Sequence, residues 1–118
     1  MKILAIIPAR MKSSRFPGKP MKKILGKPMI KHVYDKVAKS KIISDVYVAT
    51  CDKEIFNYIS SFNGKVVMTK KSHQRASDRS AEALIKIEKE KKFKFDVVVM
   101  IQGDEPMIHP NMIKESIV

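Results

Sequence analysis

The sequence predicts an α/β fold built on a mostly parallel sheet. Short apolar runs with the character of buried strands, at residues 2–7, 45–49, 65–68 and 96–101, alternate with stretches of helical period. The connections are short, and no repeat, low-complexity tract or Gly/Ser linker interrupts the alternation. Such alternation implies right-handed crossovers between parallel strands. A chain of 118 residues has the length of one domain.

Residues 2–7 are mostly apolar, as a strand covered on both faces must be. Pro8, Ala9 and Arg10 follow at once, so the N-terminus reads as a first strand rather than a signal peptide. Residues 28–38 read as a helix. Pro28 suits its first turn, and Met29, Ile30, Val33, Tyr34, Val37 and Ala38 form one apolar face. Residues 45–49 form the second strand. Ile55, Phe56, Ile59 and Phe62 mark a short second helix, with Gly64 expected at the left-handed position that closes it. Residues 65–68 make a third, short strand, and the polar stretch 69–77 reads as a loop. A helix over about 78–91 carries Ala81, Leu84, Ile85 and Glu88 at helical spacing. Residues 96–101 are the most apolar strand, expected at the centre of the sheet. Residues 103–106 then turn away, and Pro110 opens a further helix.

Charge narrows the function. The net charge is +12, from 24 Lys and Arg against 12 Asp and Glu. The lysines are scattered, with short runs only, and aromatic residues (7 %) do not alternate with them as stacking platforms for single strands would. A nucleic-acid-binding domain therefore rests on net charge alone. An anionic small substrate fits the distribution better. No apolar run approaches the ~18 residues of a membrane span. The single cysteine, Cys51, excludes an internal disulfide, fits a reducing cytoplasm and reads as a small apolar filler.

In parallel sheets ligands bind beyond the carboxyl ends of the strands. That rule places residues 8–19, 50–52, 69–79 and 102–106 on one rim. The first of these segments holds Gly18 together with Arg10, Arg15 and Lys19. A glycine that lets the backbone approach, with cations around it, suits a polyphosphate. Neither G-x-x-x-x-G-K-[ST] nor G-x-G-x-x-G is present, so the loop is neither a Walker A loop nor a dinucleotide fingerprint.

Four blocks add a resemblance. They are Ile6-Ile7-Pro8-Ala9-Arg10 with Arg15-Phe16-Pro17-Gly18-Lys19-Pro20; Gly26-Lys27-Pro28-Met29-Ile30 with His32-Val33; His73-Gln74 with Asp78-Arg79; and Gln102-Gly103-Asp104-Glu105-Pro106. In this order they resemble the 3-deoxy-manno-octulosonate cytidylyltransferase (CMP-Kdo synthetase) family. The resemblance implies a three-layer, nucleotide-diphospho-sugar-transferase-like (Rossmann-like) fold. Members of that family are much longer, so residues 1–118 are expected to form a truncated domain, its N-terminal nucleotide-binding half. The implied reaction is transfer of CMP from CTP to an acidic sugar, Kdo or a close relative, with release of pyrophosphate, in lipopolysaccharide or surface polysaccharide synthesis. A neuraminate-like acid or amino-Kdo is the alternative substrate, and an inactive nucleotide-binding remnant the alternative to an enzyme. The resemblance further implies a cytoplasmic protein, with no membrane partner, that is a homodimer at full length.

By the same resemblance Arg10, Lys19 and Asp104 are the catalytic residues, with Asp104 holding Mg²⁺. Pro8, Ala9, Arg10, Lys19, Arg79 and Gln102 are expected around the nucleotide, and Ser13, Arg15 and Gln74 around the sugar. Glu105 is expected in a structural hydrogen bond or salt bridge. His73 is expected to pack its loop, and His32 and His109 to be structural. Two departures stand out. Arg75-Ala76-Ser77-Asp78-Arg79 replaces the family's usual Ser-Gly-Thr-Glu-Arg, which bears on the sugar more than on the nucleotide. Cys51 stands where an aspartate usually follows Ala-Thr, with Asp52 one place on.

Overall fold

A computed structural model describes residues 1–12, 18–73 and 75–101 of the chain. In chain order these form β1 (Ile3–Ala9), a short 3-10 helix (Lys19–Met21), β2 (Lys23–Ile24), β3 (Lys27–Pro28), α1 (Met29–Ala38), β4 (Asp45–Thr50), α2 (Lys53–Ser61), β5 (Val66–Met68), α3 (Ala76–Lys91) and β6 (Val97–Met100). Four strands make one sheet in the order β5-β4-β1-β6, with every neighbouring pair parallel.

The period of two along β1 builds a three-layer structure. Ile3, Ala5, Ile7 and Ala9 face one side and pack with Ile30, Val33 and Val37 of α1 and Ile55 and Ile59 of α2. Leu4 and Ile6 face the other side and pack with Tyr47, Ala49, and Ala83 and Ile87 of α3. All seven residues of β1 are buried, as its apolar run requires. It extends to Ala9, two residues beyond the expected end, because β4 runs on to Thr50 and pairs Pro8 with Ala49 and Ala9 with Thr50.

The described residues do not place the 96–101 strand at the centre. Among the described residues β1 and β4 are interior and β6 is the edge. The helix α3 lies over β1, β4 and β5, so Val98 and Met100, which share its face, are 39 % and 44 % exposed. Apolar composition marked a strand, but the position of the neighbouring helix decided how much of it was covered.

Strand order also locates a switch point. The path β1-α1-β4-α2-β5 moves one way across the sheet, and α3 then returns the chain to the far side of β1. A right-handed crossover in the reverse direction must lie on the opposite face, as α3 does. The two directions diverge between β1 and β6. Among the described residues the ladder also ends there. The Ile101 N–H donates to the Ile6 carbonyl at 2.9 Å, and the next bond would need an N–H from Pro8, which has none.

Three helix expectations are refined. Ala38 of α1 is exposed, although Met29, Ile30, Val33 and Val37 are buried as the period requires. At the end of α2 the left-handed residue is Asn63, with φ 62°, and Gly64 follows it. The Gly64 N–H donates to the Ile59 carbonyl at 2.9 Å and the Asn63 N–H to the Ser60 carbonyl at 3.0 Å, the paired bonds of a Schellman end. Helix α3 begins at Ala76 and buries Arg79, Ser80, Ala83 and Ile87, whereas Ala81 is exposed and Ile85 is 68 % exposed.

The β2–β3 hairpin carries no periodic signal and was not expected. Its turn has positive φ at both Leu25 (53°) and Gly26 (86°), the mirror-image turn that matches strand twist. His32 Nε2 lies 2.6 Å from the Ile24 carbonyl and ties α1 to this hairpin. Among the described residues no helix is long and apolar enough to cross a membrane.

Candidate functional site at the carboxyl rim

The carboxyl ends of β1, β4 and β5 bring three of the four expected rim segments together. Beyond β1 stand Arg10 and Met11, beyond β4 Cys51 and Asp52, and beyond β5 the segment from Thr69 to His73. They are joined by side chains. The Met11 N–H donates to Asp52 Oδ2 at 2.8 Å, and Arg10 Nη1 lies 3.5 Å from the His73 carbonyl oxygen. The fourth expected segment, 102–106, lies outside the described residues.

Arg10 is half-buried at the carboxyl end of β1. Among the described residues its contact with the His73 carbonyl, at 3.5 Å, takes one of five guanidinium N–H groups. Gly18 has φ 77° and donates its N–H to the Met11 carbonyl at 2.7 Å. That bond returns the chain to the end of β1, and the backbone of Lys19 then opens the 3-10 helix. Pro8 and Ala9 end β1 as buried residues.

Arg79 occupies a different level. It is only 2 % exposed and lies beneath the rim. Its Nε donates to Thr69 Oγ1 at 3.0 Å, and its Nη2 reaches the His73 carbonyl at 3.2 Å and Cys51 Sγ at 3.6 Å. Neither Glu82 nor Asp78 pairs with it. Asp78 instead accepts from Arg75 Nε at 3.1 Å. Arg79 therefore fixes the carbonyl against which Arg10 rests, and joins the ends of β4 and β5.

Two carboxylates that sequence reasoning did not assign organise this rim. Glu82 on α3 accepts from the Lys70 N–H at 3.0 Å and from His73 Nε2 at 2.6 Å, and its Oε2 pairs with Lys86 Nζ at 2.8 Å. Burial alone would raise its carboxyl. The Lys70 amide, the Lys86 ammonium and the His73 ring outweigh that and hold it down at about 2. His73 thus packs its own loop through Glu82. Asp52 is the second, through Met11. The Glu82–Lys86 spacing of four on one helix was a weak sequence signal. The Asp52–Met11 bond spans 41 residues and had none.

Ser13, Arg15, Gln74, Gln102, Asp104, Glu105 and His109 lie outside the described residues. Among the described residues, no group of three or more His, Cys, Asp or Glu is placed to hold a metal ion. Both rim carboxylates, Asp52 and Glu82, are committed to protein donors.

Comparison with known proteins bears on this geometry. A family model described as cytidylyltransferase matches residues 4–118. The chain is 47 % identical over 117 residues to the 3-deoxy-manno-octulosonate cytidylyltransferase of Geobacter metallireducens (strain ATCC 53774 / DSM 7210 / GS-15), covering 99 % of this chain and 44 % of that protein. It is 48 % identical over 114 residues to the protein of the same name from Parabacteroides distasonis (strain ATCC 8503 / DSM 20701 / CIP 104284 / JCM 5825 / NCTC 11152), covering 97 % of this chain and 43 % of that one. Among solved structures, a CMP:2-keto-3-deoxy-manno-octonic acid synthetase complexed with CTP superposes with a TM-score of 0.86 at 39 % identity, covering 98 % of this chain and 45 % of that one. The chain thus spans less than half the length of these relatives.

Proposed function

The chain belongs to the cytidylyltransferase family, and from that premise we propose that it supplies the nucleotide-binding half of an enzyme that moves CMP from CTP to Kdo. The observation that supports this reading is the joined rim at the carboxyl ends of β1, β4 and β5, where Met11 is tied to Asp52 and Gly18 and Arg10 reaches the His73 carbonyl, beside the switch point between β1 and β6. Kdo is favoured over another acidic sugar because the named relatives, at 47 % and 48 % identity, carry Kdo in their names.

In the proposed reaction a sugar hydroxyl attacks the α-phosphorus of CTP. A new P–O bond forms to the sugar, the α–β bridging bond breaks, and pyrophosphate departs in line. The hydroxyl proton is lost to solvent or to a base. No covalent nucleophile is needed, so the chain's task is to hold two anions in line and to meet charge on the phosphoryl oxygens. Arg10 and Lys19 are assigned to the phosphates, and Ser13, Arg15 and Gln74 to the sugar. Base recognition requires acceptors near the exocyclic amino group of cytosine and donors near its carbonyl. The backbone at Pro8 and Ala9, with Gln102, is assigned to that. Arg79 supports the same site from below. Asp104 is the carboxylate we assign to Mg²⁺, an ion that would neutralise the triphosphate. A cytoplasmic location belongs to the same reading and is supported by the lone Cys51.

Calorimetric titration of the chain with CTP, UTP and ATP in magnesium buffer tests the proposal. CTP is expected to bind in preference to the other two. A preference for UTP or ATP would move the chain to another nucleotidyltransferase activity. Turnover with Kdo is assigned to a longer protein, because the relatives are more than twice this length. Rapid pyrophosphate release by these residues alone would contradict that assignment.

A further inference from the structure

We propose that Asp52 is a positioning residue that sets the turn after β1 for the phosphates. The proposal rests on the CTP reading and goes further, because it names a residue that touches no ligand. Asp52 stands at the N-cap of α2 with extended backbone, φ −104° and ψ 126°, where an aspartate ordinarily accepts from its own helix amides. It makes no such bond. Its carboxylate reaches across to β1 instead, and Oδ2 accepts the Met11 N–H at 2.8 Å.

The surrounding bonds aim that carboxylate. The Asp52 N–H donates to Thr50 Oγ1 at 3.1 Å, which fixes the turn out of β4, and Thr50 itself is fully buried. Cys51 Sγ lies 3.8 Å from the same Oδ2. Met11 is also held at its other end, because its carbonyl accepts the Gly18 N–H at 2.7 Å. Both backbone groups of Met11 are therefore fixed, one by Asp52 and one by Gly18. Arg10 precedes this clamped residue, and Lys19 follows the glycine. Through space, a carboxylate here repels a polyanion. Its place at the rim is explained by the backbone it holds, since an ionised acceptor makes the stronger bond to an N–H.

The test uses the unaltered chain with three variants, and reads CTP affinity, cytidine affinity and amide hydrogen exchange at Met11. Asp52→Ala is expected to weaken CTP by about ten-fold, to leave cytidine unchanged and to speed exchange at Met11. Asp52→Asn keeps an acceptor in place and is expected to restore both CTP binding and Met11 protection. Asp52→Ser can cap α2 but is too short to reach Met11. It is expected to lose CTP affinity while α2 stays folded, which keeps the test decisive should Asp52→Ala fail to fold. Equal losses for CTP and cytidine would show a merely structural role and overturn the proposal, as would unchanged CTP affinity in the Ala and Ser variants. If the unaltered chain binds no CTP, the CTP reading fails. Exchange at Met11 then decides the clamp alone, and protection unchanged in Asp52→Ser would overturn it.

Discussion

Arg10 shows what a single residue contributes at this rim. Its guanidinium, two positions past Pro8, makes one contact among the described residues, to the His73 carbonyl at 3.5 Å, and the proposed function assigns its other donors to a phosphate. Arg10→Ala is expected to weaken CTP by roughly 1.5–3 kcal/mol and cytidine by much less. Parallel titrations of the two ligands check this, and equal losses would place Arg10 against the base or the core. The position of Arg10 at the rim was legible in the sequence, because it directly follows a buried strand. Arg79 was legible only as a name. Its burial beneath the rim, on Thr69, His73 and Cys51, depends on three segments that only the fold brings together. Asp52 was illegible, and Glu82 nearly so, for the same reason. Asp52 meets the Met11 amide and Glu82 the Lys70 amide, contacts that no side-chain pattern records, and the i,i+4 spacing to Lys86 was Glu82's one weak signal.

At the scale of elements, the helix ends carry sharper predictions than the helix faces. A Cβ at Gly64 would lie 2.7 Å from both Ile59 Cγ2 and Phe62 Cε1, and 2.9 Å from the Ile59 carbonyl oxygen. Gly64→Ala should therefore destabilise the chain by about 1–3 kcal/mol, read as a lower denaturation midpoint. Helix α3 makes the complementary point. Its apolar residues Ala81 and Ile85 suggested one face, yet the fold buries Arg79 and Ser80 instead, because the N-terminal turn of α3 closes on the rim rather than on the core. Glu82 couples that turn to pH. Its folded carboxyl is held at about 2, below the ordinary 4.5, so its contribution is full above pH 4.5 and is lost as pH falls toward 2. Solvent reaches this site, so the contribution is on the order of 1–2 kcal/mol. Urea midpoints measured from pH 6 to pH 2 should fall less steeply in Glu82→Gln than in the unaltered chain. Parallel curves would remove Glu82 from the account of acid sensitivity. Small elements left less trace. Two-residue strands have no period, and Leu25-Gly26 lacks the Asn-Gly signature of its turn, so the β2–β3 hairpin went unseen.

For the whole molecule, alternation of strands and helices was enough to name a parallel α/β sheet and its carboxyl rim. It was not enough to order the strands. The apolar run at 96–101 reads like a centre and sits at an edge among the described residues, since α3 covers β1, β4 and β5 but not Val98 and Met100. Strand order matters because it puts the switch point between β1 and β6, where among the described residues the ladder ends at Pro8 and the two chain directions part. The central claim is that the nucleotide binds there. Amide chemical shifts of the ¹⁵N-labelled chain, followed during titration with CTP and magnesium, test it most directly. The account predicts that the largest changes fall on Arg10, Met11, Gly18, Asp52, His73 and Ile101, with the opposite ends of the strands silent. Changes centred on the amino ends of β1 and β4, or spread evenly over the exposed lysines, would contradict it.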